Sequence, residues 1–355
     1  MLKKMNKTTK NNLITYAMVI LAFVIMQTLI SAGSISSLLQ GLMVPLCTYI
    51  ILAVSLNLVV GILGELSLGH AGFMCVGAFT SAFFSKCTRD VIASDGLRFF
   101  LALLIGIVTA AIFGMLIGIP VLRLKGDYLA IVTLAFGEII KNMVNVLYIG
   151  KDSKGFHVTT KDVMALNMDA DGTVILNGPQ GITGTPKNST FVIGFILILL
   201  TLFIVQNLIN SRDGRAIMAI RDNRIAAESI GINITKYKLM AFTISAAMAG
   251  AAGVLYAHNI STLTANTNNF GYNMSITILV FVVLGGIGNI RGSIIAAVVL
   301  TLLPELLRGL NDYRMLIYSI VLIVMMLFNW SPKFITLREK YSPKNLFRKN
   351  AKEEE

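Results

Sequence analysis

Long apolar runs alternate with short polar breaks along almost the whole chain. A hydrocarbon layer of roughly 30 Å takes about 20 helical residues to cross. On that measure ten runs are candidates: residues 13–30, 41–63, 66–85, 99–122, 128–149, 190–209, 239–257, 273–287, 292–307 and 315–330. Residues 239–290 hold no Lys, Arg, Asp or Glu, and the polar stretch 259–272 divides them, so this part must cross twice. Backbone groups inside lipid have to bond within their own segment, which makes each run a helix. The runs at 273–287 and 292–307 are short and glycine-rich at their ends, which predicts broken or partial spans. The expected fold is all-α and polytopic, with about 10 transmembrane helices (8–10).

The pattern divides the chain into an N-terminal segment (1–12), a membrane domain (13–330) and a charged tail (331–355). Within the membrane domain, 150–189 is the longest polar connection and 211–238 the most charged one. The first run follows four lysines, as in a signal peptide. It exceeds an ordinary signal core of about 7–15 residues, and nine more runs follow, so it is expected to remain as a span.

Composition narrows the class. Charged residues make up 14% of the 355, against about 25% in soluble proteins. Hydrophobic residues make up 55%, with a mean hydropathy of +0.75. Too few charges are present to coat a soluble surface, which excludes a soluble enzyme. A net charge of +12 would suggest nucleic acid in a soluble protein. Here the basic residues sort by connection. With the N-terminus inside, twenty Lys and Arg fall on cytoplasmic segments and nine on outer ones. That bias places both termini and 211–238 in the cytoplasm and leaves no call for a nucleic-acid partner.

Catalytic chemistry is not legible. Cys47, Cys75 and Cys87 have no CxxC spacing, and the first two lie in apolar runs as small hydrophobes. His70, His157 and His258 are scattered. The glycines and prolines of 177–186 predict tight turns, but no Gly-Lys-Ser/Thr closes a phosphate loop. In 285–292 the sixth position of a GxGxxG pattern is Arg291, so small residues permitting close helix approach is the better reading. No metal site, cofactor site or catalytic constellation is expected.

Three segments carry candidate function. In 211–238, six basic residues, among them Arg215, Arg221 and Arg224, stand with Asp213, Asp222 and Glu228. Asp222 or Asn223 can cap a helix that Gly231 ends. Ile225, Ala226 and Ile230 give it an apolar patch, small Ala227 would let a partner approach, and Arg224 and Glu228 stand at i, i+4. Such a helix docks into a partner's groove, or is a solvated connector. Second, Glu65, Ser67 and His70 lie at a glycine-flanked break between spans. Broken helices expose backbone donors and acceptors to a translocated solute; a tight structural hairpin is the other reading. Third, Glu138 and Lys141, at i, i+3 inside a run, neutralise one another or gate a pathway.

Ile225-Ala226-Ala227-x3-Gly231 resembles the coupling loop of ATP-binding-cassette importer permeases, with Ile225 in place of the motif's leading Glu. Asn57-Leu58-Val59-Val60-Gly61 and Gly64-Glu65-Leu66-Ser67-Leu68-Gly69-His70-Ala71-Gly72-Phe73 resemble the second-to-third span junction of branched-chain amino-acid permeases. Gly126-Asp127-Tyr128-Leu129-Ala130-Ile131-Val132-Thr133-Leu134 with Glu138, Gly178-Pro179-Gln180-Gly181-Ile182 and Gly285-Gly286-Ile287-Gly288-Asn289 continue the likeness in the order of the LivM-type subunit. Together these motifs are spread from Asn57 to about Gly292, two thirds of the chain, and as a set they are specific.

The resemblance implies an importer permease fold with broken or short helices, in a bacterial plasma membrane. It implies a homologous LivH-type permease, two cytoplasmic ATPase subunits that bind the ATP and Mg, and an extracytoplasmic binding protein delivering leucine, isoleucine or valine. Coupling to the ATPases then falls to Arg215, Arg221, Arg224, Ile225, Ala226, Ala227, Glu228, Ile230 and Gly231. The pathway falls to Asn57, Gly64, Glu65, Ser67, His70 and Glu138. Two alternatives stay open: another small solute such as urea, or an ion-gradient-driven transporter using Glu65, Glu138 and Lys141.

Overall fold

The computed structural model describes residues 7–33, 36–122, 127–169, 172–307, 309 and 313–330. The expected cytoplasmic tail 331–355, residues 1–6 and Gly126 lie outside the described residues. Helices α1 (Lys7–Ser31), α2 (Ser37–Asn57), α3 (His70–Cys87), α4 (Asp95–Val121), α5 (Asp127–Val146) and α6 (Phe191–Asn210) come first. Two short helices, α7 (Arg212–Asp222) and α8 (Arg224–Ser229), form a hairpin. They are followed by α9 (Ile234–Ala257), α10 (Thr267–Phe270), α11 (Tyr272–Gly285), α12 (Ile290–Leu306) and α13 (Arg314–Trp330).

Among the described residues seven stretches are long and apolar enough to cross a membrane: Asn12–Ser31, Ser37–Leu63, Asp95–Val121, Tyr128–Val146, Phe191–Asn210, Ile234–Ala257 and Thr267–Gly285. The other three candidates, α3, α12 and α13, are helical but shorter or more polar, at 18, 17 and 17 residues. Burial orders the helices from centre to edge. In the most apolar window of the second span 94% of residues are buried, against 6% in α1, so the second span is central and α1 peripheral. A helix that is apolar all round belongs in such a centre. Around it α3, α4 and α9 cross closely. A Cβ on Gly77 of α3 would collide with the Gly250 carbonyl of α9, so glycine is what lets these backbones meet.

Several boundaries differ from expectation. The run at 128–149 leaves the helix at Val146, and Tyr148–Asp152 becomes strand β1. Tyr and Ile suit a strand, and two neighbouring strands supply the backbone partners that helix would otherwise provide. These are β2 (Gly155–Thr159) and β3 (Thr173–Asn177), antiparallel to β1 on either side in the order β2-β1-β3. The connection 150–189, expected as turns, therefore holds a small sheet. Beside it β4 (Ile182–Thr183) pairs antiparallel with β5 (Thr262–Leu263), tying 150–189 to the polar stretch after α9. That stretch also forms α10, which continues towards α11 after a break at Gly271. Helix α9 starts at Ile234, five residues before the expected 239, because the Asn233 side chain accepts from Lys236 N–H at 3.0 Å and caps it.

The sheet and the α7–α8 hairpin lie at opposite ends of the bundle. Helix α6 starts just after the sheet and ends at the hairpin, and its 20 residues at 1.5 Å rise span about 30 Å.

Candidate functional site

The hairpin is built by caps. Ser211 Oγ accepts from Gly214 N–H at 3.0 Å and starts α7. Asn223 is extended, at φ −154°, and breaks the helix. Its Oδ1 accepts from Ala226 N–H at 3.0 Å and starts α8, so of the two expected caps Asn223 is the one used. Asp222 pairs with Arg221 instead, at 2.8 Å. Gly231 ends α8 at φ +84°, where its N–H and that of Ile232 reach the Glu228 and Ala227 carbonyls at 3.0 and 3.1 Å. Only glycine takes that conformation without strain.

Two large apolar side chains stand out from the hairpin: Ile225 is 81% exposed and Ile230 75%. Ala226 and Glu228 are exposed with them. Ala227 behaves differently from expectation. It is buried, packed with Ile220 of α7 and Ile234 of α9. Its methyl seats α8 on its own chain and cannot admit a partner. Arg215 Nη1 donates to the Asn210 carbonyl at 3.2 Å, stiffening the entry to α7. Among the described residues no ion pair joins Arg224 to Glu228, although they stand at i, i+4.

The hairpin grips the second span where that span breaks. Residues Leu58–Leu63 form a π-helical turn, ended by Gly64 at φ +79°. Arg221 Nη1 donates to the Gly61 carbonyl at 2.9 Å, within that turn. Just past the break, Glu65 forms an ion pair with Lys238 of α9, and both side chains are largely buried. The same turn is fixed on its other side. Asn57 accepts from Gly288 N–H at 2.9 Å and donates to Ser293 Oγ of α12 at 2.8 Å. A Cβ on Gly61 would collide with Gly288. Asn57, Gly64 and Glu65, expected on a pathway, thus lie around the turn that Arg221, expected for coupling, holds at Gly61.

The remaining candidates lie apart from this cluster. His70 Nε2 lies 2.7 Å from Ser55 Oγ, so α3 begins alongside the middle of the second span, not at its end. Ser67 is buried and its hydroxyl has no partner among the described atoms, while the next residue, Leu68, donates its N–H to Thr133 Oγ1 at 3.1 Å. The expected Glu138–Lys141 pair forms at 2.5 Å. Glu138 also accepts from Tyr272 N–H at 2.8 Å, and Lys141 donates to Thr267 Oγ1 at 3.2 Å. This pair therefore clamps α5 onto the α10–α11 joint. The six residues form three groups rather than one site.

Sequence reasoning overlooked the partners. Lys238, Ser55, Thr133, Ser275 and Ser293 supply the other halves of these contacts, Ser275 by accepting from Ala71 N–H at 3.2 Å. For the four hydroxyls the available signal was a polar side chain inside an apolar run, which in lipid needs an inward-facing partner; Lys238, at the end of a charged stretch, gave none.

Comparison with known proteins agrees with this architecture. The profile of the family described as branched-chain amino acid transport system, permease component, matches residues 37–328. The chain is 35% identical to the high-affinity branched-chain amino acid transport system permease protein LivM of Salmonella typhimurium, over 92% of this chain and 75% of that protein. It is 33% identical to the LivM protein of Escherichia coli K12, with the same coverage. It is also 24% identical to the LivH permease protein of that strain, over 79% of this chain and 89% of that one. No solved structure matches.

Proposed function

The chain belongs to the family of branched-chain amino acid transport system permease components, and we propose that it is one of two homologous membrane subunits of an ATP-driven importer. In this reading it carries leucine, isoleucine or valine inward across a bacterial plasma membrane. Two partner ATPase subunits bind ATP and Mg and dock on the α7–α8 hairpin. A LivH-type permease completes the membrane unit, and an extracytoplasmic binding protein delivers the amino acid at the sheet end. Both termini and the hairpin then lie in the cytoplasm, in keeping with the excess of Lys and Arg assigned to that side.

One observation carries the coupling role. Ile225 and Ile230 are exposed on a short, doubly capped helix whose flanks hold the broken second span through Arg221–Gly61 and Lys238–Glu65. Exposed apolar side chains on a rigid helix are what a partner's groove takes. The buried contacts behind them transmit displacement because packed interiors deform little. A push on α8 reaches α7 and α9 through Ala227, and the π turn through Arg221. Movement at that turn, at the Gly64–Gly69 break and at the α10–α11 joint held by Glu138 would open the path for the solute. Asn57, Gly64, Glu65, Ser67, His70 and Glu138 all lie at or beside these joints. In this reading ATP supplies the drive, and Glu65 and Glu138, each paired with a lysine, hold joints together.

Proteoliposomes holding the complete complex test this. Leucine uptake is expected only with ATP supplied on the hairpin side. Uptake in ATP-free vesicles under an imposed proton or sodium gradient would contradict it.

A further inference from the structure

Beneath α1 runs a groove whose two parts differ sharply in chemistry. At the hairpin end a cavity of about 320 Å3 mixes polar side chains, among them Thr15, Gln206, Asn210 and Arg291, with Ile62 and Ile209. About one helical turn further into the bundle, a second cavity, of about 390 Å3, is bounded by apolar side chains such as Val19 and Ala22 of α1, Ile50 of α2, Ile198 of α6 and Val298 of α12. The same helices α1, α6 and α12 and the second span border both. Along it Phe23 of α1 stacks on Phe195 and Phe191 of α6, with ring centroids 3.9 and 5.1 Å apart.

The polar end is equipped for a particular ligand. Arg291 brings a cation, held in place by its Nε donating to Thr15 Oγ1 at 2.6 Å. Helix α12 starts at Ile290 beside the cavity with no side-chain cap, so its positive end also favours an anion there. Gln206 is buried, lines the cavity, and its Oε1 has no hydrogen-bond partner among the described atoms. A buried acceptor left unpaired is costly, so this oxygen asks for a donor from the ligand. The polar cavity therefore takes a negative charge at Arg291 and a hydrogen-bond donor at Gln206, and an apolar groove follows.

We propose that this groove holds one phospholipid, its phosphate at Arg291 and the α12 N-terminus, an ammonium or hydroxyl of its headgroup on Gln206, and an acyl chain under α1. The lipid wedges the peripheral helix α1 onto the central span and replaces protein side chains that the groove lacks. The chemistry excludes a choline headgroup, whose methylated nitrogen has no hydrogen to donate. A soluble phosphodiester with the same headgroup could satisfy the polar end, but would leave the apolar groove unused. The inference does not depend on which solute the protein carries.

Native mass spectrometry of the full chain in detergent tests it, using phosphatidylethanolamine, phosphatidylglycerol and phosphatidylcholine with identical acyl chains. The first two are expected to be retained about fivefold or more over the third. Gln206→Leu should bring the three to near parity, and Arg291→Gln should weaken all of them about tenfold. If Arg291→Gln fails to accumulate, Ala22→Trp, which fills the apolar groove, should displace the lipid instead. Equal retention of phosphatidylcholine by the unaltered chain would overturn the proposal. Tight binding of soluble glycerophosphoethanolamine, with no gain from acyl chains, would overturn it in favour of a soluble ligand.

Discussion

Lys238, near the start of α9, and Glu65, in the break after the second span, form a buried ion pair across 173 residues of sequence. Removing one partner of such a pair strands a buried charge, at a cost of about 3–5 kcal/mol, while removing both costs far less. Glu65→Gln alone should therefore lower the thermal midpoint of the purified chain markedly. Adding Lys238→Met should recover most of that loss. A double variant as unstable as the sum of the two singles would mean that the pair contributes nothing specific.

Asn57 is the corresponding anchor on the other side of the π turn. Its loss removes one bond from the exposed Gly288 N–H and one from the buried Ser293 Oγ, which still donates to the Asn289 carbonyl at 3.3 Å, at about 1 kcal/mol for each bond. Asn57→Leu should destabilise the chain, and Ser293→Ala added to it should cost little more, because the contact is already gone. Strict additivity of the two substitutions would refute a shared bond.

At the sheet end, Asp152 offers a pH readout. Burial works against its ionisation, but the backbone N–H groups of Lys154 and Asp169, the His157 ring and the Gly155 N–H outweigh it. The carboxyl therefore titrates below the ordinary aspartate range. A depressed folded-state pKa contributes stability above the unfolded value, about 3.9, and loses it as pH falls through the folded one. Protease resistance of 150–189 should be steady at neutral pH and fall off only below about pH 4. Asp152→Ala should lower resistance at neutral pH and flatten that acid transition. An unchanged profile in the variant would remove Asp152 from the account.

Orientation is checked by labelling. In a background lacking Cys47, Cys75 and Cys87, S153C beside the sheet should react with an impermeant thiol reagent in intact cells. S342C, in the tail beyond the described residues, should react only after lysis. Equal labelling of both would reverse or break the proposed topology.

Much of the fold was legible because lipid permits so few backbone solutions: ten apolar runs became helices, with ends shifted by a few residues. The Gly64–Gly69 break, the Glu138–Lys141 pair and the Gly231 helix end could be read from residue type and spacing alone. Contacts between distant segments could not. Nothing local in Lys238 names Glu65, and nothing in Asn57 names Gly288. The strands at Tyr148 and Thr173 escaped notice because a short strand depends on its neighbours more than on its own residues. Ala227 was misread for a related reason. Its spacing puts it on a face of α8, but only the position of α7 and α9 decides which face is covered.

The exposed pair Ile225 and Ile230 is where the partner ATPases are proposed to dock. The most direct measurement is ATPase pull-down alongside leucine uptake, in membranes with matched amounts of permease, for the double variant Ile225→Asp/Ile230→Asp. Both side chains are exposed, so the thermal midpoint should be unchanged while ATPase association and uptake fall together. Ala227→Arg gives the contrast: its side chain is buried against α7 and α9, so it should lower stability as well. If the double variant keeps full ATPase association and normal uptake, the hairpin is a connector and the coupling surface lies elsewhere.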